Sequence, residues 1–224
     1  MRQNKRITFK GLLEEAWHTI THVEEGFIHT VIALAKRPGK MIGEYIHGNR
    51  KPYQKPFPFL FIVTTVYALM LYWLHYNNEK HLLEQTSVDF HTRFILKASY
   101  LESKFYSWLH IGLLPVYGLL SLIIYRQVKY NWAEWMVACC YIISFILLLL
   151  IPYQLCNKIF DFSNTANFYI QLIIIVCYSI IVSADLVPGR FRLLVVFQTF
   201  LWCFTVFSLF LYTVQGIAWL LTVK

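Results

Sequence analysis

The sequence is poor in charged residues. Only 14% of its 224 residues are Asp, Glu, Lys or Arg, whereas a soluble domain has about a quarter. Five stretches contain no charged residue at all, and each is long enough to cross a bilayer, which takes about 20 apolar residues. These stretches are 56–78, 105–125, 135–157, 162–184 and 193–223. The shortage of charge excludes an ordinary soluble domain and predicts an all-α, polytopic helical membrane protein.

The sequence also lacks cysteine pairs that are spaced for metal binding or disulfide formation. Its five cysteines include no C-x-x-C arrangement and lie in or at the edge of the apolar stretches, which is typical of buried, inert thiols. A secretory signal peptide is missing as well, because the first 37 residues carry charges throughout. We therefore expect no zinc ribbon, no disulfide framework and an N-terminus that is not cleaved.

Motifs of membrane enzymes and transporters are missing too. The aspartates Asp89, Asp161 and Asp185 are isolated, whereas enzymes that handle diphosphates pair them around magnesium. The sequence has no G-x-S-x-G, H-E-x-x-H or P-loop motif. No ionisable residue lies deep in an apolar stretch, where one would indicate transport, and His110 comes closest. We expect no enzyme activity and no cofactor. The polar residues within these stretches are expected to form hydrogen bonds between helices: Thr64, Thr65, Gln171, Gln198 and Thr199.

The predicted organisation is a cytoplasmic N-terminal region, 1–55, followed by a transmembrane domain, 56–224. Five spans are expected, at about 57–76, 107–125, 133–154, 167–187 and 193–215. With the N-terminus inside, fourteen Lys and Arg residues lie on the cytoplasmic side and six lie outside, so the positive-inside rule predicts a cytoplasmic N-terminus. The last stretch is longer than one span needs, and a sixth span would return the C-terminus to the cytoplasm. Pro115 predicts a kink in the second span.

Residues 9–35 predict an amphipathic helix on the membrane surface or against the spans, because their apolar side chains share one face at helical spacing. A cytosolic helical hairpin that is broken at Gly26 is the alternative. The polar face carries His18, His22, Glu25 and His29. Neighbouring pairs of these could bind a metal ion, but all four extend about 16 Å along a helix and cannot share one ion. A solvated polar face is the favoured interpretation, and we expect no metal site.

Residues 36–55 are strongly basic and directly precede the first span. They contain six basic residues and one acid, Glu44, for a net charge of +5. Such a cluster is attracted to anionic lipid by about 1 kcal/mol per basic residue near the surface. The alternative is that the cluster only sets the topology. Direct nucleic-acid binding is not expected, because the bilayer competes for the same charges and no stacking aromatic module surrounds them.

The segment Arg37–Tyr53, which reads RPGKMIGEYIHGNRKPY, and the Pro-Phe-Pro-Phe-Leu run at 56–60 resemble the signature of a bacterial multi-span membrane family of unknown function. The resemblance covers about residues 7–62 and implies a bacterial cytoplasmic (inner) membrane protein with no established activity. Many members carry a Cys-rich zinc ribbon in front of the signature, and this sequence lacks it. If the motif has a shared role, the resemblance implies these lipid- or partner-binding residues: Arg37, Lys40, Glu44, Tyr45, Arg50, Lys51 and Tyr53.

The leading hypothesis is a non-enzymatic membrane scaffold or regulator that contacts anionic lipid or a cytoplasmic protein partner through its basic N-terminal region. An oligomeric channel or transporter is the competing hypothesis, because neutral pore-lining residues leave little trace in one chain. In size, span count and basic N-terminus, the sequence also resembles the small membrane accessory proteins of type VI CRISPR loci. That resemblance implies a modulator of an RNA-targeting defence effector, and a nuclease gene beside this one would support it.

Overall fold

Every regular element in the described residues is an α-helix. The structure is a computed structural model, and it describes residues 26–83, 108–160, 162–187 and 192–222. The helices in these ranges are α1 (Gly26–Lys36), α2 (Pro38–Ile46), α3 (Pro56–Leu83), α4 (Trp108–Ile124), α5 (Trp132–Phe160), α6 (Asn164–Leu186) and α7 (Arg192–Thr222). The predicted all-α class is confirmed.

Four of these helices are long and apolar enough to cross a membrane. The qualifying stretches lie in α3, α5, α6 and α7 and have mean hydropathies between 1.9 and 2.5, as the charge-free parts of the sequence predict. Helix α4 is also apolar, but its described length is shorter. A count of five spans therefore stays a prediction.

Helix α5 is the central helix of the bundle. Two thirds of the residues in its most apolar stretch are buried, against less than a third in the other three long helices. Helices α3 and α6 both pack on α5. The outer helices keep large apolar side chains on their outer surfaces, among them Trp73, Leu193 and Tyr212, which are 75%, 89% and 73% exposed. So much exposed apolar surface is typical of a bundle that faces lipid.

The N-terminal helices are separated by a single residue. Arg37 leaves the helical conformation, and α2 begins at Pro38, where the missing N–H of proline costs no hydrogen bond and its fixed φ suits a first helical turn. The sequence predicts a turn at 36–40 followed by a short helix to Ile46, and the helix is confirmed. The turn predicted at 36–40 is confined to Arg37, because Pro38, Gly39 and Lys40 already belong to α2.

Helix α2 docks on the end of α6. Gly39 makes the closest approach: a Cβ atom placed there would lie 2.3 Å from Asp185 Cβ and 2.9 Å from the Asp185 carbonyl carbon. The neighbouring Met41 and Ile42 are fully buried. Nearby, the Tyr178 hydroxyl of α6 donates a hydrogen bond to the Leu34 carbonyl of α1 (3.5 Å). The described N-terminal helices are therefore part of the folded bundle.

Polar contacts place the end of α4 and the start of α7 at the same end of the bundle as α2. The Tyr125 hydroxyl, just after α4, donates to Thr199 Oγ1 of α7 (3.2 Å) and lies 3.1 Å from Ser183 Oγ of α6. Gln198 of α7 donates to the Ile124 carbonyl (2.7 Å). The start of α3 also lies there, because the Phe59 ring packs 5.0 Å from the Phe27 ring of α1. Successive long helices thus alternate in direction.

Some details differ from the sequence predictions. The sequence predicts an outer loop at 79–104, but helix α3 continues to Leu83. Cys139, Cys140 and Cys203 are buried as predicted, but Cys156 and Cys177 are exposed, because each lies on a helix face that points away from the bundle. Of the predicted interhelical hydrogen-bonding residues, Gln198 and Thr199 reach other elements. Two others bond within their own helix: Thr64 to Leu60 O and Gln171 to Asn167 Oδ1.

Gly48 follows α2 with a φ of +109°, a conformation that side chains with a Cβ atom rarely adopt. We expect Gly48→Ala to lower the free energy of unfolding by about 1–2 kcal/mol, the usual cost of a left-handed conformation. Thermal unfolding in detergent measures the effect. Gly112→Ala is the matched control, because a Cβ atom at Gly112 meets nothing within 4 Å. Equal melting temperatures for the two variants would show that the conformation at Gly48 imposes no such cost.

Candidate functional site

The six basic residues of segment 36–55 are all exposed, and we call them the basic collar. Its members are Lys36, Arg37, Lys40, Arg50, Lys51 and Lys55. The N-terminal members flank or lie on the first turn of α2, and the others lie between α2 and α3. The collar therefore lies along the segment that leads into the first long apolar helix.

Glu44, the one acid of this segment, has partners on both carboxylate oxygens. Arg37 Nη1 lies 3.2 Å from Oε1, and the Tyr53 hydroxyl donates to Oε2 at 2.6 Å. The hydrogen bond from Tyr53, more than the charges of Arg37 and Lys40, holds the pKa of Glu44 below its usual value. Burial, followed by the bond to Glu44, raises the pKa of Tyr53. The carboxylate therefore stays ionised and the phenol stays protonated at neutral pH.

Buried contacts hold the segment before α3 in place. Tyr53 is buried, and its ring centroid lies 5.2 Å from that of His29 on α1. The Gln54 N–H donates to Thr30 Oγ1 (2.8 Å), and the Gln54 carbonyl accepts from the Tyr141 hydroxyl of α5 (2.6 Å). The backbone that carries Arg50, Lys51 and Lys55 is thereby anchored to two helices. This anchoring lowers the entropy cost of presenting the charged side chains to a ligand.

Arg50 is oriented by Tyr45. Its Nε donates to the Tyr45 carbonyl (3.3 Å), and its guanidinium carbon lies 5.5 Å from the centre of the Tyr45 ring. The Tyr45 ring in turn packs edge-on against Tyr141, with the centroids 5.4 Å apart. The bond to Tyr45 uses Nε and leaves the two terminal nitrogens for a partner. Paired guanidinium N–H groups suit the oxygens of a phosphate or carboxylate.

Two open grooves lie beside the collar. The first, which we call the α3–α5 groove, has a volume of about 830 Å³ and is lined by Arg50, Lys51, Lys55, the start of α3 and Glu134 of α5. The second, the α2–α6 groove, has a volume of about 730 Å³ and is lined by Lys36, Arg37, Lys40, His47, Tyr130 and Asp185. Each groove thus combines collar bases with an acid from the end of a long helix, and Glu44 also lines the α2–α6 groove.

The predicted binding residues fall into two groups. Arg37, Lys40, Arg50 and Lys51 are exposed, whereas Tyr45 and Tyr53 are buried and Glu44 is half-buried. The structure brings Arg37, Glu44 and Tyr53 into one network and pairs Arg50 with Tyr45. Sequence reasoning missed Tyr141, Glu134 and Asp185 as neighbours of the collar. The sequence did carry a signal for Glu134 and Asp185. Spans that alternate in direction place the start of α5 and the end of α6 on the same side of the membrane as the N-terminus.

The histidines of the predicted polar face are only partly described. His29 packs on Tyr53, while His18 and His22 lie outside the described residues, as do Glu25, residues 9–25 of the predicted amphipathic helix and residues 84–104 of the predicted outer loop. In the part of the chain that the structure describes, no group of three His, Cys, Asp or Glu residues could hold a metal ion.

Residues 24–68 match a family described as "Protein of unknown function (DUF3667)". This is about one fifth of the chain, and it contains the whole basic collar and the first part of α3. The match is consistent with the predicted resemblance to an uncharacterised family. Neither the curated proteins nor the solved structures contain a match to the chain. The resemblance to accessory proteins of type VI CRISPR loci stays a prediction.

Proposed function

We propose that this chain is a non-enzymatic integral membrane protein that acts as a scaffold or regulator and contacts anionic lipid through its basic collar. One observation carries the proposal: all six collar side chains are exposed on the segment that leads into α3, while the one acid of the segment is occupied by Arg37 and Tyr53. The positive charge of the collar is therefore presented outward.

The surroundings of the collar support a lipid ligand. Phe57, in the first turn of α3, is 50% exposed directly beside Lys55. An apolar ring next to exposed lysines suits the boundary between acyl chains and headgroups, where each basic residue contributes about 1 kcal/mol of attraction to an anionic surface. A cytoplasmic protein partner with an acidic surface would meet the same charges, but it would leave the neighbouring apolar surface of α3 without a role.

The proposed topology has five membrane crossings, with α4 as the second, and a cytoplasmic N-terminus in a bacterial inner membrane. The alternating directions of the helices support it, because they bring the collar, the α4–α5 connection and the end of α6 to one end of the bundle. Anionic lipid at the cytoplasmic surface then faces the collar.

Neutralising the collar lysines tests the proposal. The variant changes Lys36, Lys40, Lys51 and Lys55 to Gln together and spares Arg37 and Arg50, whose side chains make internal contacts. At about 1 kcal/mol per lysine near the surface, we expect the purified variant to retain phosphatidylglycerol at least about tenfold less well than the wild type. Native mass spectrometry of the delipidated protein, titrated with phosphatidylglycerol, measures the retention.

The matched control removes four positive charges from segment 79–104, which is predicted to lie on the opposite side. Its changes are Lys80→Gln, Arg93→Gln, Lys97→Gln and Lys104→Gln. If the two variants lose phosphatidylglycerol equally, the effect is due to net charge and not to the position of the collar. A collar variant that keeps its lipid but exposes an N-terminal tag outside the cell would show that the collar only sets the topology.

A further inference from the structure

The α3–α5 groove carries charges of both signs at the edge of an apolar surface. Arg50, Lys51 and Lys55 line one part of it, and Glu134 at the start of α5 lines another. In the described part of the chain, Glu134 forms no ion pair with a basic side chain. A ligand with only negative charge would be attracted by the three bases and repelled by this carboxylate, whereas a ligand that also carries a positive group would be attracted by both.

The local structure accounts for an acidic side chain here through a helix cap and through the helix dipole, which favours a negative charge in the first turn by about 0.3–1 kcal/mol. Asn131 and Glu134 cap α5 reciprocally: Asn131 Oδ1 accepts from the Glu134 N–H (2.9 Å), and Glu134 Oε2 accepts from the Asn131 N–H (2.7 Å). A glutamine at the third helical position can complete the same cap. The bond to Asn131 uses only Oε2, so Oε1 and the negative charge remain for a ligand.

We infer that the α3–α5 groove binds a phospholipid whose headgroup joins a phosphodiester to an ammonium group, with the phosphate beside Arg50, Lys51 and Lys55 and the ammonium beside Glu134. The inference rests on the proposed lipid contact of the collar and assigns one headgroup class to this groove, while Lys36, Arg37 and Lys40 beside the α2–α6 groove keep the contact with anionic lipid. A lipid, rather than a soluble phosphoammonium compound, is the occupant because Phe57, Pro58 and Val137 line the same groove at the start of the long apolar helices.

Glu134→Gln tests the inference, since it removes the charge and keeps the cap. Delipidated protein is titrated with equimolar phosphatidylethanolamine and phosphatidylglycerol, and native mass spectrometry records the ratio retained. We expect Glu134→Gln to lower the ratio of retained phosphatidylethanolamine to phosphatidylglycerol at least about fivefold relative to the wild type, since fivefold corresponds to about 1 kcal/mol. Asp185→Asn is the control for net charge, because Asp185 lies at the same end of the bundle but in the other groove.

The outcomes separate the inference from the proposed function. An unchanged ratio in Glu134→Gln, or an equal change in Asp185→Asn, would overturn the inference and leave the lipid-binding collar standing. If the wild type and the collar-lysine variant retain each lipid equally, both the inference and the proposed function are overturned. Displacement of the lipid by an equal concentration of soluble glycerophosphoethanolamine would show that the acyl chains contribute nothing, and the lipid assignment would be wrong.

Discussion

Gly39→Ala is expected to lower the free energy of unfolding by about 1–3 kcal/mol, the usual cost of an extra methyl group in a tightly packed contact. The new Cβ atom would meet the Asp185 side chain and the backbone between Asp185 and Leu186, at 2.3 and 2.9 Å. Backbone cannot turn aside as a flexible side chain does, so α2 has to move away from α6. Equilibrium unfolding in mixed micelles measures the loss.

Gly43→Ala supplies the control in the same helix. A Cβ atom at Gly43 would lie 3.6 Å from the Tyr130 hydroxyl, which is an ordinary contact. Alanine is also favoured over glycine within a helix by about 1 kcal/mol, so this variant is expected to be as stable as the wild type or more stable. If Gly39→Ala matches Gly43→Ala in stability, the close docking of α2 on α6 is wrong.

Truncation of Tyr53 is expected to have the largest effect on stability in the segment before α3. Tyr53→Ala removes a buried ring that packs on His29, and aromatic-to-alanine changes in a core cost about 3–5 kcal/mol. The variant is also expected to bind phosphatidylglycerol less well, because the collar residues on either side of Tyr53 lose their anchor. Unfolding in mixed micelles and lipid titration measure the two effects. Tyr212→Ala, at an exposed position on α7, is the control.

Tyr53→Phe separates the hydrogen bond from the packing through its pH dependence. The hydrogen bond from Tyr53 is the main cause of the lowered pKa of Glu44 in the folded state. The stability that this bond contributes is therefore present at neutral pH and is lost as the pH falls through the folded-state pKa of Glu44. The pKa of Tyr53 is raised, so its contribution is lost as the pH rises through that value. The stability difference between wild type and Tyr53→Phe is therefore expected to be largest near neutral pH and to shrink on both sides. A stability difference between wild type and Tyr53→Phe that does not vary with pH would contradict the hydrogen bond between Tyr53 and Glu44.

Local features of the fold were predictable from the sequence, because each depends on residues close together along the chain. The charge-free stretches predict the long helices. Pro38 marks the start of the short helix α2, and Gly48 marks its end. The counts of basic residues predict that the collar and the end of α6 lie on one side, and the structure places them side by side. Whether that side is the cytoplasm stays a prediction.

The arrangement of the candidate site was less predictable, because it depends on contacts between distant parts of the chain. Tyr45 and Tyr53 stand among charged residues and were expected at the surface with them, yet Tyr141 and His29 cover their rings. Glu134 has the sequence signature of a helix cap, and nothing local indicates that it shares a groove with Arg50. The exposed faces of Cys156 and Cys177 likewise depend on which neighbours each helix has.

The contact between Tyr178 and Leu34 also constrains how the protein is made. These residues are 144 positions apart, and at about 5–20 residues per second a ribosome takes on the order of ten seconds to synthesise the chain between them. The first described helices therefore emerge well before α6, on which they dock. During this interval their apolar faces lack their neighbours on α6, so α1 and α2 complete their native contacts only after most of the chain has been made.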